Sequence, residues 1–275
     1  MSAFTTLISA AELGALAGPR VLLDCSFDLA DTGAGERGYL AAHLPGAVYA
    51  HLDRDLAGAR TGRNGRHPLP PREAFAAAAG RWGIAPGVQV VAYDGQGGPY
   101  AARAWWLLRW LGHAAVAVLD GGSAAWKAAG GAFEAGAATP VAQPPYPAGA
   151  AAMPTVDAEG LLAELGRVRL VDARAGDRFR GESEALDPVA GHIPGATNRF
   201  FKDNLQSDGR FKPAAQLRAE FDRWGGAPVV HQCGSGVTAC HNLLAMTHAG
   251  LDGGRLYPGS WSEWCADPAR PVASG

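Results

Sequence analysis

The sequence predicts an α/β protein made of two tandem copies of one domain, each a mainly parallel sheet flanked by helices. Three observations carry this. First, landmarks recur in one order. Val21-Leu-Leu-Asp24, His43-Leu-Pro-Gly-Ala47, Val90-Val-Ala-Tyr-Asp94 and Trp126 return as Leu170-Val-Asp172, His192-Ile-Pro-Gly-Ala196, Val229-Val-His-Gln-Cys233 and Trp264. Their offsets stay nearly constant, at 148, 149, 139 and 138 residues. Second, short Val-rich runs alternate with helically spaced segments in both copies, the pattern of buried parallel strands joined by helices. Third, 275 residues suit two domains at roughly 100–200 residues each.

The elements follow in chain order. Residues 21–24, 88–93 and 115–119 read as strands of the first copy, and residues 73–82 and 101–111 as its helices. In the second copy, 169–171 and 228–232 are strands, and 213–224 and 237–249 are helices. Between the copies, residues 136–154 are rich in Ala, Pro and Gly and read as an extended segment that wraps rather than coils. The expected domains are 1–135 and 155–275, with 136–154 as linker. In such sheets, ligands bind at the carboxyl ends of the strands.

Composition narrows the function. Hydrophobic residues are 48% and charged residues 18%, enough apolar material for a core and no disordered signature. A net charge of −2 gives no basic surface for nucleic acid. Residues 1–13 lack a basic stretch ahead of an apolar one, and no apolar run is long enough for a membrane span. A cytoplasmic, reducing setting is expected. Four cysteines in a chain of this length are not a disulfide framework.

The strand end that matters is Cys233, in Val229-Val-His-Gln-Cys233-Gly-Ser-Gly-Val-Thr238-Ala. Gly234 and Gly236 let the backbone curl so that N–H groups point at one spot. The helix starting near Val237 adds its positive end. Together these favour the thiolate, the nucleophilic form of cysteine. The first copy has Asp94 at this point, and a carboxylate cannot carry sulfur. Cys25 and Cys265 read as packed or spare thiols. Cys240 lies seven residues on, about 10 Å along a helix and too far for a disulfide. His231, Cys233, Cys240 and His241 fit no closed zinc-site spacing, so no metal or other cofactor is expected.

These residues resemble the tandem-domain rhodaneses, the sulfurtransferase family. The carriers are Ala42-His43-Leu-Pro-Gly-Ala47, Leu119-Asp-Gly-Gly122, Gly191-His192-Ile-Pro-Gly-Ala196, Cys233-Gly-Ser-Gly-Val-Thr238-Ala-Cys240 and Gly259-Ser-Trp261. The resemblance covers about residues 4–266 and implies two rhodanese-like domains, the first one inactive. Within the family, thiosulfate enzymes resemble Cys-Arg-Lys-Gly and mercaptopyruvate enzymes resemble Cys-Gly-Ser-Gly, the loop found here. A dianion gains most from cations in the loop, and a monocarboxylate gains less.

The resemblance implies further roles. Ser235 would work with His67 and Asp53, both in the first copy. Arg178 would hold the substrate carboxylate, and the backbone at Gly234, Gly236, Val237 and Thr238 would cradle the sulfur. Arg174 reads as an ion-pair partner of Asp172. Mercaptopyruvate enzymes often carry a second arginine nine residues after the first. Here Asp187 stands at that place, with Arg180 as the nearby substitute.

The implied reaction moves sulfane sulfur from 3-mercaptopyruvate through a Cys233 persulfide to an acceptor, such as a thioredoxin-like thiol, a small thiol or cyanide, and releases pyruvate. Neither nucleic acid nor membrane takes part. The alternatives are a thiosulfate donor and a persulfide carrier without turnover. A phosphatase of related fold needs an arginine six residues after its cysteine, where this chain has Ala239.

Overall fold

The structure is a computed structural model that describes residues 3–222 and 228–275. It falls into two compact units. The first contains β1 (Leu7–Ile8), α1 (Ala10–Ala15), β2 (Arg20–Asp24), α2 (Ala34–Ala41), β3 (Val48–Tyr49) and α3 (Leu52–Asp55). It continues with α4 (Arg72–Arg81), β4 (Gln89–Tyr93), α5 (Pro99–Leu111), β5 (Val116–Leu119) and α6 (Gly122–Ala128). The second contains α7 (Ala158–Glu164), β6 (Arg169–Asp172), α8 (Gly176–Arg180), β7 (Thr197–Asn198) and a 3₁₀ turn at Phe201–Asn204. Then follow α9 (Ala214–Asp222), β8 (Val229–Gln232), α10 (Ala239–His248), β9 (Arg255–Leu256) and α11 (Ser260–Trp264).

Among the described residues, the first sheet runs β1-β5-β4-β2-β3 and the second β7-β6-β8-β9, with every pairing parallel. A parallel bridge from Thr155 to Leu256 extends the second sheet beside β9. The two sheets therefore match strand for strand, as the repeated landmarks require. Parallel neighbours need a crossover, and the helices supply it.

The cores match as well. Leu13, Leu22, Leu44 and Val91 form the first. Leu161, Leu170, Ile193 and Val230, their counterparts in sequence, form the second together with Trp261 and Trp264. The helix after each central strand is buried nearly all round, with Trp105 and Trp106 fully enclosed on α5 and Leu243 and Leu244 on α10. That is why these two segments read as apolar runs rather than as two-faced helices.

The expected strands and helices form within one to two residues of their expected ends. The expected end of the 213–224 helix falls on residues 223–224, outside the described residues. Residues 136–152 belong to the first unit and run along it as a strap. Its backbone N–H groups at Gly136, Gln143, Tyr146 and Gly149 donate to the carbonyls of Leu40, Gly80, Ala76 and Leu111.

Packing divides the chain differently from a cut near residue 135. Residues 59–69 belong to the second unit, and residues 207–211 to the first.

Candidate active site

Cys233 directly follows β8 and is 2% exposed. The N-terminal turn of α11 closes against it from below. Cys233 O accepts from Trp261 N–H at 3.0 Å and Gly234 O from Ser262 N–H at 2.9 Å. Cys233 N–H donates to Ser260 Oγ at 3.1 Å, and Ser260 Oγ donates to Tyr257 O at 2.9 Å. Ser260 is the one described non-glycine residue at positive φ, +53°, so its hydroxyl is held there against backbone strain.

Above the strand end, Gly236 N–H donates to Cys233 Sγ at 3.1 Å. Gly236 has φ +78°, and a Cβ there would stand 2.2 Å from Pro258 O. The turn that aims this N–H at sulfur therefore requires glycine. Val237 is buried and Thr238 half-buried, and Thr238 caps α10 without a side-chain bond. The strand ends just before Cys233 and the helix begins at Ala239, two residues past its expected start, with the Gly236 N–H aimed at the sulfur.

Ser235 and His67 meet. His67 Nδ1 and Ser235 Oγ are 2.7 Å apart, across 168 residues of sequence, and both side chains are buried. His67 comes in on the loop 59–69, which belongs to the same unit as Ser235. Asn64 folds this loop, accepting from Thr61 N–H at 2.8 Å and donating to Ala59 O at 3.0 Å. His67 comes from the first copy in chain order, while packing places it in the second unit. Asp53 belongs to the first unit, on α3, where its N–H donates to His51 Nδ1 at 3.1 Å.

The arginines form an alternating chain of charge. Asp172 pairs with Arg174 at 2.8 Å, as expected, and Arg174 approaches Glu184 at 3.6 Å. Arg178 grips Glu184 at 2.7 Å and touches Asp187 at 3.2 Å. Asp187 also pairs with Arg66. Burial alone would raise the Glu184 carboxyl, but Arg178 and the N–H groups of Leu186 and Asp187 hold it below the ordinary range.

Arg180 does not join this chain. It turns outward to Glu182 at 2.7 Å, half exposed. The group that does arrive is Arg66, which the sequence reading missed. Its signals were its place beside His67 and the missing positive charge at position 187. Both Arg66 and Arg178 crowd the space over Gly234. A Cβ there would lie 2.9 Å from Arg66 Nη2 and 3.5 Å from Arg178 Nη1.

In the first unit, Asp94 follows β4 as Cys233 follows β8. Its carboxylate accepts four backbone bonds, from Gln96 and Gly98 at 2.8 and 2.9 Å and from Tyr100 and Ala101 at 3.1 Å. The curled loop there is already filled by a carboxyl group of its own, which burial pushes up from the ordinary carboxylate range against the pull of these four N–H groups. The other thiols lie elsewhere. Cys25 is fully buried and burial pushes its thiol up, Cys240 donates to Gly236 O at 3.3 Å, and burial likewise raises Cys265. His231 and His241 turn to Met246 and Asn204. No group of side chains that could hold a metal ion is found among the described residues, nor any helix long and apolar enough to cross a membrane.

Known proteins are similar to this chain in sequence and in fold. The rhodanese-like domain matches residues 9–129 and again 157–267. A Pseudomonas aeruginosa protein provisionally named a 3-mercaptopyruvate sulfurtransferase is 51% identical, over 98% of both chains. A Mycobacterium tuberculosis protein provisionally named a thiosulfate sulfurtransferase is 42% identical, over 98% of this chain and 97% of its own. The structure of 3-mercaptopyruvate sulfurtransferase from Leishmania major superposes with a TM-score of 0.85 at 31% identity, covering 94% of this chain and 74% of that one. With two domain matches that together span most of the chain and relatives of this similarity along 98% of it, the chain belongs to the rhodanese-like family.

Proposed function

We propose that the chain is a sulfurtransferase that takes sulfur from 3-mercaptopyruvate onto Cys233 and passes it to a thiol or cyanide. The observation that carries the reading is the pairing of a sulfur cradle with a proton relay. Gly236 N–H reaches Cys233 Sγ, and two residues along the chain Ser235 Oγ stands 2.7 Å from His67 Nδ1. A thiosulfate donor would gain little from that hydroxyl, whereas an enolate leaving group needs a proton.

The steps follow from these groups. Arg178 docks the substrate carboxylate beside Gly234. The Cys233 thiolate attacks the substrate sulfur, and an S–S bond forms. The C–S bond breaks with its electron pair staying on carbon, which gives pyruvate enolate. Ser235 hands its proton to that enolate, His67 resupplies it, and the proton leaving the substrate thiol restores His67, so that pyruvate departs and the persulfide is left as its anion. The family resemblance gives Asp53 a supporting role in this proposal. The persulfide on Cys233 rests among the N–H groups of residues 234–238. An acceptor thiolate or cyanide then takes the outer sulfur, and Cys233 returns as thiolate. Kinetics are ping-pong. A cytoplasmic setting and a thioredoxin-like acceptor complete the reading.

Thiosulfate is the second reading, favoured by the name of the 42% identical relative. The deciding experiment is pyruvate release from 3-mercaptopyruvate beside thiocyanate formation from thiosulfate and cyanide, for wild type and Cys233→Ser. The expected result is a tenfold or greater preference in kcat/KM for mercaptopyruvate, about 1.4 kcal/mol of transition-state stabilisation, with the variant inactive on both donors. A thiosulfate preference overturns the donor, and an active Cys233→Ser overturns the site.

A further inference from the structure

We infer that Arg66 is the second guanidinium of the donor-binding site, and that Asp187 is the positioning and charge-balancing residue that sets the site for a donor of single negative charge. The inference deepens the mercaptopyruvate reading and rests on it for the docking of the carboxylate beside Gly234.

Asp187 divides its carboxylate between two arginines. Oδ1 goes to Arg66 Nη1 and Oδ2 to Arg178 Nη2. The Asp187 side chain is 2% exposed, while each arginine is 22% exposed. The acid is therefore the buried fulcrum, and the guanidiniums are the groups that reach solvent. The Asp187 N–H is itself fixed, donating to Glu184 Oε1 at 3.1 Å. Arg66 is fixed at its backbone, where its N–H donates to Ser262 Oγ at 3.0 Å. Ser262 N–H in turn donates to Gly234 O. One residue of α11 thus ties the Arg66 loop to the cysteine loop.

Both guanidiniums lie over Gly234, the residue next to the nucleophile. The space in which a side chain at 234 would stand is taken by Arg66. The cations that meet an anionic donor therefore come from positions 66 and 178, outside the loop, which itself stays neutral.

Charge decides which donor this suits. Arg66, Arg174 and Arg178 face Asp172, Glu184 and Asp187, so the cluster is neutral as it stands. A monocarboxylate adds one negative charge to it, a dianion two. In a partly buried site each extra charge is felt strongly. Replacing Asp187 by a neutral residue leaves one arginine uncompensated, which favours the dianion more than the monoanion.

The test is kcat/KM on 3-mercaptopyruvate and on thiosulfate for wild type, Asp187→Asn and Arg66→Gln. Asp187→Asn is expected to raise the thiosulfate-to-mercaptopyruvate ratio by about tenfold, and Arg66→Gln to raise KM for mercaptopyruvate by about tenfold with kcat changed far less. The ratio is read as a change from wild type, so it is informative whichever donor wild type prefers. A wild-type preference for thiosulfate sinks the donor reading alone. An equal loss on both donors in Asp187→Asn, with the ratio moving threefold or less, makes Asp187 merely structural and overturns the inference. Arg66 lies on a loop and its replacement leaves the core intact, so a KM shift of threefold or less in Arg66→Gln overturns it independently.

Discussion

His231 stands two residues before Cys233, inside β8, with Nε2 2.9 Å from Met246 Sδ. Burial, aided by the positive charge of Arg199, lowers its imidazole from the ordinary 6.5 to about 3. The folded chain therefore keeps this ring neutral, while the unfolded chain takes up a proton below pH 6.5. Its contribution to stability is whole above pH 6.5 and is lost progressively as pH falls from 6.5 towards 3. At pH 5 the loss is about 2 kcal/mol. Urea unfolding at pH 7 and pH 5 should show this drop in wild type and a smaller one in His231→Gln; an equal drop in both would rule His231 out as its source. The same scale separates what the sequence reveals from what it conceals. Cys233, Ser235 and the two glycines lie in one short stretch, so their chemistry is local and legible. Arg66 is not, because its meaning depends on Asp187, 121 residues away, and no local pattern encodes that pairing.

The elements show a similar division. Long strands and buried helices announce themselves through Val-rich runs and apolar spacing. The two-residue strands β1, β3, β7 and β9 are too short to carry a period, and their existence depends on a neighbouring strand offering its edge. The strap is intermediate. Its Pro- and Gly-rich composition says it is extended, but its partner had to be seen. Gly80 on α4 makes the docking possible: a Cβ there would stand 2.4 Å from Pro144 O and 2.7 Å from Gln143 O. Both obstacles are backbone, so Gly80→Ala cannot be absorbed by a side-chain rotation. The substitution should cost about 1–3 kcal/mol despite its better helix propensity. A urea midpoint at or above that of wild type would show that the strap yields instead.

At the scale of the molecule, one loop design serves two ends. In the second unit the curled backbone faces the Cys233 sulfur; in the first it is closed by Asp94. All four contacts to that carboxylate are N–H donors. Asp94→Asn would turn an NH₂ group toward two of them. The expected result is a loss of about 1–3 kcal/mol of stability with sulfur transfer at Cys233 retained. A variant as stable as wild type would show that a second acceptor oxygen is not what closes the loop. The duplication itself was legible because each copy repeats its landmarks. The exchange of residues 59–69 and 207–211 was not, since neither segment has a counterpart that hints at where it packs.

That exchange has a consequence for how the protein comes into being. A ribosome delivers residues 59–69 long before the strands of the second unit exist. His67 and Arg66 must therefore wait in an unfinished nascent chain until more than a hundred further residues have emerged. A gene fragment encoding residues 153–275 would lack the histidine that meets Ser235. Duplication made two similar halves, but a cut between the copies would part His67 from Ser235 and Arg66 from Asp187.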